Sequence, residues 1–210
     1  RMVDAAAVAE RVRRVLRVLD SPIDIPDPVD GVELPAGPLG VELTGVTYRY
    51  PGGPEVLSGV DAKIEVGQRL AVVGETGSGK TTFAKLITRL LDPVEGSVLV
   101  GGIPLTKVRF SSLRSRIAFV PQEGFLWDGT IASNVRYGRP DAGDREIMTA
   151  FIELGLDTWL ERLSDGLETK VGERWSNLSA GERQLVAHVR AWIAGRYLLV
   201  LDEATSAIDP

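Results

Sequence analysis

The sequence predicts an α/β fold, and three observations carry that prediction. From residue 41 onward, short strand-like stretches alternate with stretches of helical periodicity. A glycine-rich loop, Gly74-Glu75-Thr76-Gly77-Ser78-Gly79-Lys80-Thr81, joins an apolar stretch to an amphipathic one. Residues 197–201 are continuously apolar, the pattern of a strand covered on both faces of a parallel sheet.

The elements follow in order. Ala5, Val8, Val12, Val15 and Leu19 recur at spacings of three and four, the stripe of an amphipathic helix over residues 1–20. Arg11, Arg13, Arg14 and Arg17 crowd its far end. That fits either a solvated surface helix or the cytoplasmic end of a membrane helix, where arginine collects. Pro22, Pro26, Pro28, Pro35 and Pro38 then dominate residues 21–40. Proline fixes φ and has no N–H to donate, so this stretch reads as an extended connector without a core. Strands are expected at 41–50, 60–66 and 69–73, broken by Gly and Pro. A helix at 82–91 turns Phe83, Leu86, Ile87, Leu90 and Leu91 to one side and stops at Asp92-Pro93. A strand at 117–120 stops at Pro121. Helices follow at 144–154, with Ile147, Ala150, Phe151 and Leu154 inward, and at 157–163. A last helix at 182–194 carries Leu185, Val186, Val189, Trp192 and Ile193 on one face. No internal repeat or low-complexity tract is present.

Composition narrows the function classes. The 210 residues are 44% hydrophobic and 25% charged, ordinary for a globular chain. The net charge of −5 argues against a broad basic footprint for nucleic acid, which is not an expected partner. With no Cys and one His, disulfides, thiolate nucleophiles, cysteine zinc sites and multi-histidine metal sites are excluded. No apolar run reaches the roughly 18 residues of a membrane span, and no signal-peptide pattern opens the chain. Any membrane role is therefore expected to come through a partner or a further segment.

The glycine-rich loop matches G-x-x-x-x-G-K-[ST], the P-loop, and each residue type in it has a physical task. Gly74, Gly77 and Gly79 let backbone N–H groups turn inward around phosphate oxygens without Cβ clashes. The helix that follows adds the partial positive charge of its N-terminus. Glu75, Thr76, Ser78 and Thr82 complete the expected ATP-binding stretch. Lys80 is expected to reach the β- and γ-phosphates, and the Thr81 hydroxyl to coordinate Mg²⁺. The apolar run before Asp202-Glu203 delivers two acids at the C-terminal end of a strand, where α/β sheets bind ligands. Asp202 is expected to hold Mg²⁺ through water, and Glu203 to orient or deprotonate the attacking water.

Leu178-Ser179-Ala180-Gly181-Glu182 opens another helix. As a helix start it is a capping box, with Ser179 as N-cap and Glu182 reaching back from three residues on. It also describes an anion site: bare N–H groups, a hydroxyl, and Gly181 for close approach. One ATP does not need two cradles from one chain. The second is therefore expected to serve the nucleotide of another subunit.

With these motifs the sequence resembles the ATP-binding cassette (ABC) family over residues 41–210. The P-loop, Gln122 at a strand end, the 178–182 signature, the acid-ended strand and Ser206-Ala207-Ile208-Asp209 stand in the family's order. The resemblance implies a P-loop NTPase (RecA-like) core sheet with flanking helices, an antiparallel β subdomain, and a helical subdomain at about 123–195. It implies a head-to-tail dimer, of like or unlike halves. Two ATP molecules would be sandwiched between the P-loop of one half and Ser179 and Gly181 of the other. By the same resemblance Tyr50 is the aromatic that stacks on adenine, with Tyr48 the second candidate and strand packing the alternative for both. Gln122 would contact Mg²⁺ or the attacking water and join Lys80 and Glu203 in the catalytic set. Asp209 would belong to a loop that communicates across the dimer.

Two stretches are similar to exporters: residues 120–131, which contain Gln122, and Lys170-Val171-Gly172-Glu173-Arg174. The implied partner is the transmembrane part of an exporter at the cytoplasmic face of the cell membrane, met near Phe125, Trp127 and Glu173. Phe125 and Trp127 form either an apolar socket for a coupling helix or part of a helical-subdomain core. The N-terminal helix and connector would be the end of the last membrane helix and its tether. The signature departs from the usual LSGGQ at Ala180 and Glu182. A carboxylate near a γ-phosphate repels it unless it is turned into the capping box. The resemblance also implies truncation at the C-terminal side, before the family's switch histidine, and His188 lies one helix too early to replace it. The fragment is expected to bind ATP and turn it over weakly. Two other functions fit parts of the pattern. A DNA-maintenance ATPase of the same family is opposed by the absence of Cys and of a long insert between Lys80 and Ser179. A non-hydrolysing nucleotide switch is opposed by Glu203.

Overall fold

The computed structural model describes residues 2–20, 23–171 and 177–202. Helix α1 (Met2–Leu19) covers the stretch predicted to be helical, and its Val8, Val12, Val15 and Leu16 are exposed. The connector behind it is more than a tether. Leu34 and Leu39 are buried in the core, and the Leu34 N–H donates to Ser112 Oγ at 2.9 Å. The Asp27 carboxylate accepts from the Phe110 N–H at 2.8 Å, and Val32 forms an isolated parallel bridge with Val108. The expectation of a connector without a core is thus corrected. Proline removes backbone donors, but it does not stop the leucines between prolines from reaching apolar neighbours.

Strands β1 (Val41–Arg49), β2 (Glu55–Ile64), β3 (Glu95–Val100) and β4 (Ile103–Pro104) form an antiparallel sheet in the order β2-β1-β3-β4. In β1 the alternation Val41, Leu43 inward gives way after Thr44 to Val46, Thr47 and Tyr48, all buried. The pairing register shifts there, so the bulge re-aims the side chains and lets consecutive residues face the core. Helix α2 (Lys80–Ile87) packs Phe83, Ala84, Leu86 and Ile87 into the same core. It is shorter than the periodicity predicted. The Thr88 hydroxyl donates back to the Ala84 carbonyl, and Arg89 turns left-handed at φ +50°, so Leu90 falls outside the helix and is exposed.

Helix α3 (Phe110–Arg116) leads into β5 (Ile117–Val120), which pairs in parallel with β6 (Leu198–Leu201) from Ile117↔Leu198 to Val120↔Leu201. The parallel pairing matches the expectation; burial on both faces does not. Only Val200 of β6 is buried, while Leu199 and Leu201 are exposed. The strand expected at 69–73 forms no ladder, and its Leu70, Val72 and Val73 are exposed. Among the described residues β6 has one strand neighbour, β5, and residues 69–73 have none, so these apolar runs stay partly open to solvent.

Helices α4 (Ile131–Arg136), α5 (Asp144–Glu153), α6 (Asp157–Glu161) and α7 (Ala180–Ile193) enclose a second core around Leu126, Ile131, Ile147, Phe151, Val186 and Val189. Helix α7 also packs against β5. It therefore belongs to both halves of the molecule.

Candidate nucleotide site

The loop between residues 74 and 81 is shaped by its glycines. Gly77 and Gly79 sit at φ +87° and +92°, the left-handed region that side chains avoid. Gly79 is also the N-cap of α2, so no side chain caps that helix, and its first-turn N–H groups stay open to an anion. Lys80 Nζ bends over the loop and donates to the Gly74 and Glu75 carbonyls, both at 2.9 Å. An ammonium has three donors, so one remains after these two bonds.

Thr81 Oγ1 donates to Asp202 Oδ1 at 2.9 Å. This bond spans 121 positions of sequence and brings the P-loop and the acid-ended strand to one point. Asp202 is buried, and its N–H donates to the Val120 carbonyl at 3.0 Å, which fixes it one residue beyond the β6 register. Gln122 leaves the neighbouring strand β5 at the same edge and is exposed. Glu203, Glu173 and the 206–209 segment lie outside the described residues.

Tyr50 and Tyr48 separate clearly. Tyr48 is 7% exposed and presents its edge to Tyr50, with ring centroids 5.1 Å apart. Tyr50 is 38% exposed, and its hydroxyl lies 3.2 Å from Thr82 Oγ1 in the first turn of α2. Of the two, Tyr50 offers a surface ring beside the first turn of α2.

At the start of α7 the capping box forms in full. The Glu182 N–H donates to Ser179 Oγ at 3.2 Å, and the Ser179 N–H donates to Glu182 Oε2 at 2.8 Å. Trp159 Nε1 donates to Glu182 Oε1 at 3.2 Å. These donors hold the carboxyl below its ordinary range, the Ser179 N–H first among them. The replacement of Gln by Glu is thereby absorbed into the cap. Gly181 lies in the first turn, where N–H groups have no carbonyl within the helix. His188, halfway along α7, is part-buried, and burial lowers its pKa.

The segment after Gln122 is fastened to α7. A Cβ at Gly124 would lie 2.7 Å from the Arg183 carbonyl carbon and from the Gln184 nitrogen, so only glycine permits this approach. The buried Gln184 side chain donates to the Pro121 carbonyl, and Arg190 Nη2 donates to the Phe125 carbonyl at 2.6 Å. Phe125 and Trp127 then stand edge to face at 4.8 Å, with Tyr137 5.5 Å from Trp127. All three rings are exposed, at 45, 48 and 60%, so the alternative of a packed helical-subdomain core is set aside. Asn134, wholly buried, accepts from the Trp127 N–H and donates to the Trp127 carbonyl. A groove of about 240 Å³ opens beside this cluster, between β5 and α7, away from the P-loop. Sequence reasoning missed Gly124, Asn134, Tyr137 and Trp159. A lone Gly, Asn or Trp carries no spacing signal.

Comparison with known proteins agrees with this geometry. The family model described as ABC transporter matches residues 57–206, a span that includes the P-loop, Gln122, Ser179 and Asp202. The chain belongs to the ABC transporter family. It is 40% identical to an ATP-dependent lipid A-core flippase of Chromobacterium violaceum, over 97% of this chain and 36% of that protein. It is equally identical to a fatty acid ABC transporter ATP-binding/permease protein of Mycobacterium bovis, over 93% of this chain and 31% of that one. A bacterial Atm1-family ABC exporter solved with ATP bound superposes with a TM-score of 0.87 at 35% identity, covering 94% of this chain and 35% of the other. The chain thus spans about a third of the length of these relatives. Its fold is that of the ABC ATPase domain, an ATP-binding unit, with the antiparallel sheet, the parallel pair and the helical unit in place. Among the described residues no helix is long and apolar enough to cross a membrane.

Proposed function

We propose that this chain is the ATP-hydrolysing domain of an exporter, working at the cytoplasmic face of the membrane on which its transmembrane partner sits. The observation that carries the reading is the Thr81–Asp202 bond. A hydroxyl and a carboxylate set side by side beneath an anion-binding loop suit Mg²⁺, which takes few protein ligands and relies on the phosphates for the rest. Thr81 and Asp202 would hold the ion, with Gln122 at its side; among the described residues no larger group of acids gathers. When bound, Mg²⁺ neutralises charge on the β- and γ-phosphate oxygens.

The chain's own groups supply the remainder. The loop N–H groups and Lys80 bind the triphosphate, and the exposed Tyr50 ring receives the adenine. Glu203 accepts a proton from the attacking water, and Gln122 positions that water. Ser179 Oγ already accepts from Glu182, so its own proton is free to be donated to a γ-phosphate oxygen of the ATP held by a second domain. That second domain, like or unlike, is required to close the sandwich. Residues 1–210 in isolation are expected to bind ATP and turn it over weakly.

The exposed Phe125, Trp127 and Tyr137 rings favour a docking surface for that transmembrane part. The 169–171 stretch that leads to Glu173 pairs with the turn that follows Trp127: the Val171 N–H donates to the Gly129 carbonyl, and Thr130 bridges Lys170. The test is ATP binding and turnover by the full-length transporter. Lys80→Ala is expected to abolish tight ATP binding. Glu203→Gln is expected to keep binding and lower turnover by about 10²–10⁴-fold, the range of general-base catalysis. Wild-type turnover in Glu203→Gln would refute the role of Glu203, and undiminished binding in Lys80→Ala would refute the cradle.

A further inference from the structure

We infer that Trp159 is a positioning residue for ATP hydrolysis, holding the Ser179 hydroxyl in its phosphate-facing orientation through Glu182. The inference rests on the reading above, in which Ser179 serves the nucleotide of a second domain.

Each oxygen of the Glu182 carboxylate meets a donor, Oε2 the Ser179 N–H and Oε1 the Trp159 Nε1–H. An ionised carboxylate only accepts, so it satisfies both. A glutamine here would aim its NH₂ at one of them, donor against donor. The residue type that departs from the usual signature is thus the type the indole N–H selects. The glutamate in turn closes the capping box, whose other half is the Glu182 N–H on Ser179 Oγ. That bond occupies an acceptor position of the hydroxyl and narrows the directions its proton can take.

The indole itself is held from elsewhere. Its ring stacks on Phe151 at 6.0 Å with 23° between planes, and Phe151 is wholly buried in α5. The following residue, Leu160, is also in the helical core. The donor therefore belongs to the α5–α6 layer, whereas the acceptor and Ser179 belong to the first turn of α7. Displacement between these layers would loosen the cap and let the serine hydroxyl turn. The carboxylate charge, held by two donors, is kept from facing the γ-phosphate.

The experiment uses the full-length transporter in lipid vesicles, measuring ATP turnover over a range of ATP concentrations. Trp159→Phe keeps a ring to stack on Phe151 and removes the N–H; 3-benzothienylalanine at 159 removes the N–H with almost no change of shape. Both are expected to lower kcat/KM about 10-fold, the scale of one charge-assisted hydrogen bond, while ATP binding to the chain's own P-loop stays unchanged. Glu182→Gln is expected to lose a similar factor, and the double variant Trp159→Phe, Glu182→Gln to lose no more than the worse single one. Wild-type kcat/KM in the benzothienylalanine protein, or losses that multiply in the double variant, would overturn the proposal. Ser179→Ala, run alongside, separates the layers of the argument. Wild-type turnover there would remove the signature reading and Trp159 with it. Lost turnover there with intact Trp159 variants would remove only the role of Trp159.

Discussion

Gly79 shows why single residues decide this site. At φ +92° an added Cβ would lie 2.8 Å from Leu57 Cδ2 and 3.2 Å from the Val56 carbonyl oxygen, so strain and collision coincide. The motif made this glycine legible from sequence, as it did Lys80, Thr81 and Asp202. The resemblance ranked Tyr50 before Tyr48, and the physical ground for that order is burial: Tyr48 is buried in β1, whereas Tyr50, just beyond it, is exposed. His188 is a second case. Its place inside α7 was readable, but the consequence of its burial was not. Burial lowers its pKa from the ordinary 6.5, so the unfolded chain binds the proton first as pH falls. The stability that goes with the neutral imidazole is complete above pH 6.5 and is lost as pH falls from there toward the folded-state value. The chain has no other histidine, so His188→Gln should flatten the fall of the denaturation midpoint just below pH 6.5. An unchanged slope in the variant would contradict this.

At the scale of elements, helices with a clean apolar stripe were legible to within a few residues: α5 and α7 both end where a Gly follows. Strand β3 and helices α3 and α4 were not, because each is short and carries too few apolar positions to set a period. The connector was misread for a different reason. One of its ties is to Arg89, which the apolar periodicity placed inside a helix. The buried Arg89 instead donates to the Val108 and Pro26 carbonyls, pairs with Asp92 at 3.3 Å, and lies 4.9 Å from the Phe110 ring centroid. One guanidinium thus ties the connector to the end of α2 and the start of α3. Arg89→Ala should destabilise the fold by roughly 3 kcal/mol, since buried acceptors lose a charged donor. At this chain length that lowers Tm by about 6–12 °C. Arg89→Lys should recover only part of the loss, because an ammonium lacks the planar fork. Thermal unfolding with limited proteolysis of residues 23–40 checks both; an unaltered Tm in Arg89→Ala would show that the tie is idle.

Across the whole molecule, α7 is the member through which the parts meet. It supplies Ser179 at one end, receives the Gly124 turn along its side, and holds Phe125 through Arg190. Such an arrangement was legible as an order of motifs but not as a set of contacts, since backbone approaches such as Gly124 on Arg183 leave no trace in composition. The convergence of the P-loop with the β6 acid was expected from the motifs and is realised in the Thr81–Asp202 bond. The most direct test of the account is a double-mutant cycle on that pair, reading how far Mg²⁺ tightens ATP binding to the full-length protein. Thr81→Ala and Asp202→Asn should each remove most of the Mg²⁺-dependent gain, and the double variant should lose little more than either. A full Mg²⁺-dependent gain in Asp202→Asn, or independent losses that add in free energy, would contradict a shared triphosphate–metal site.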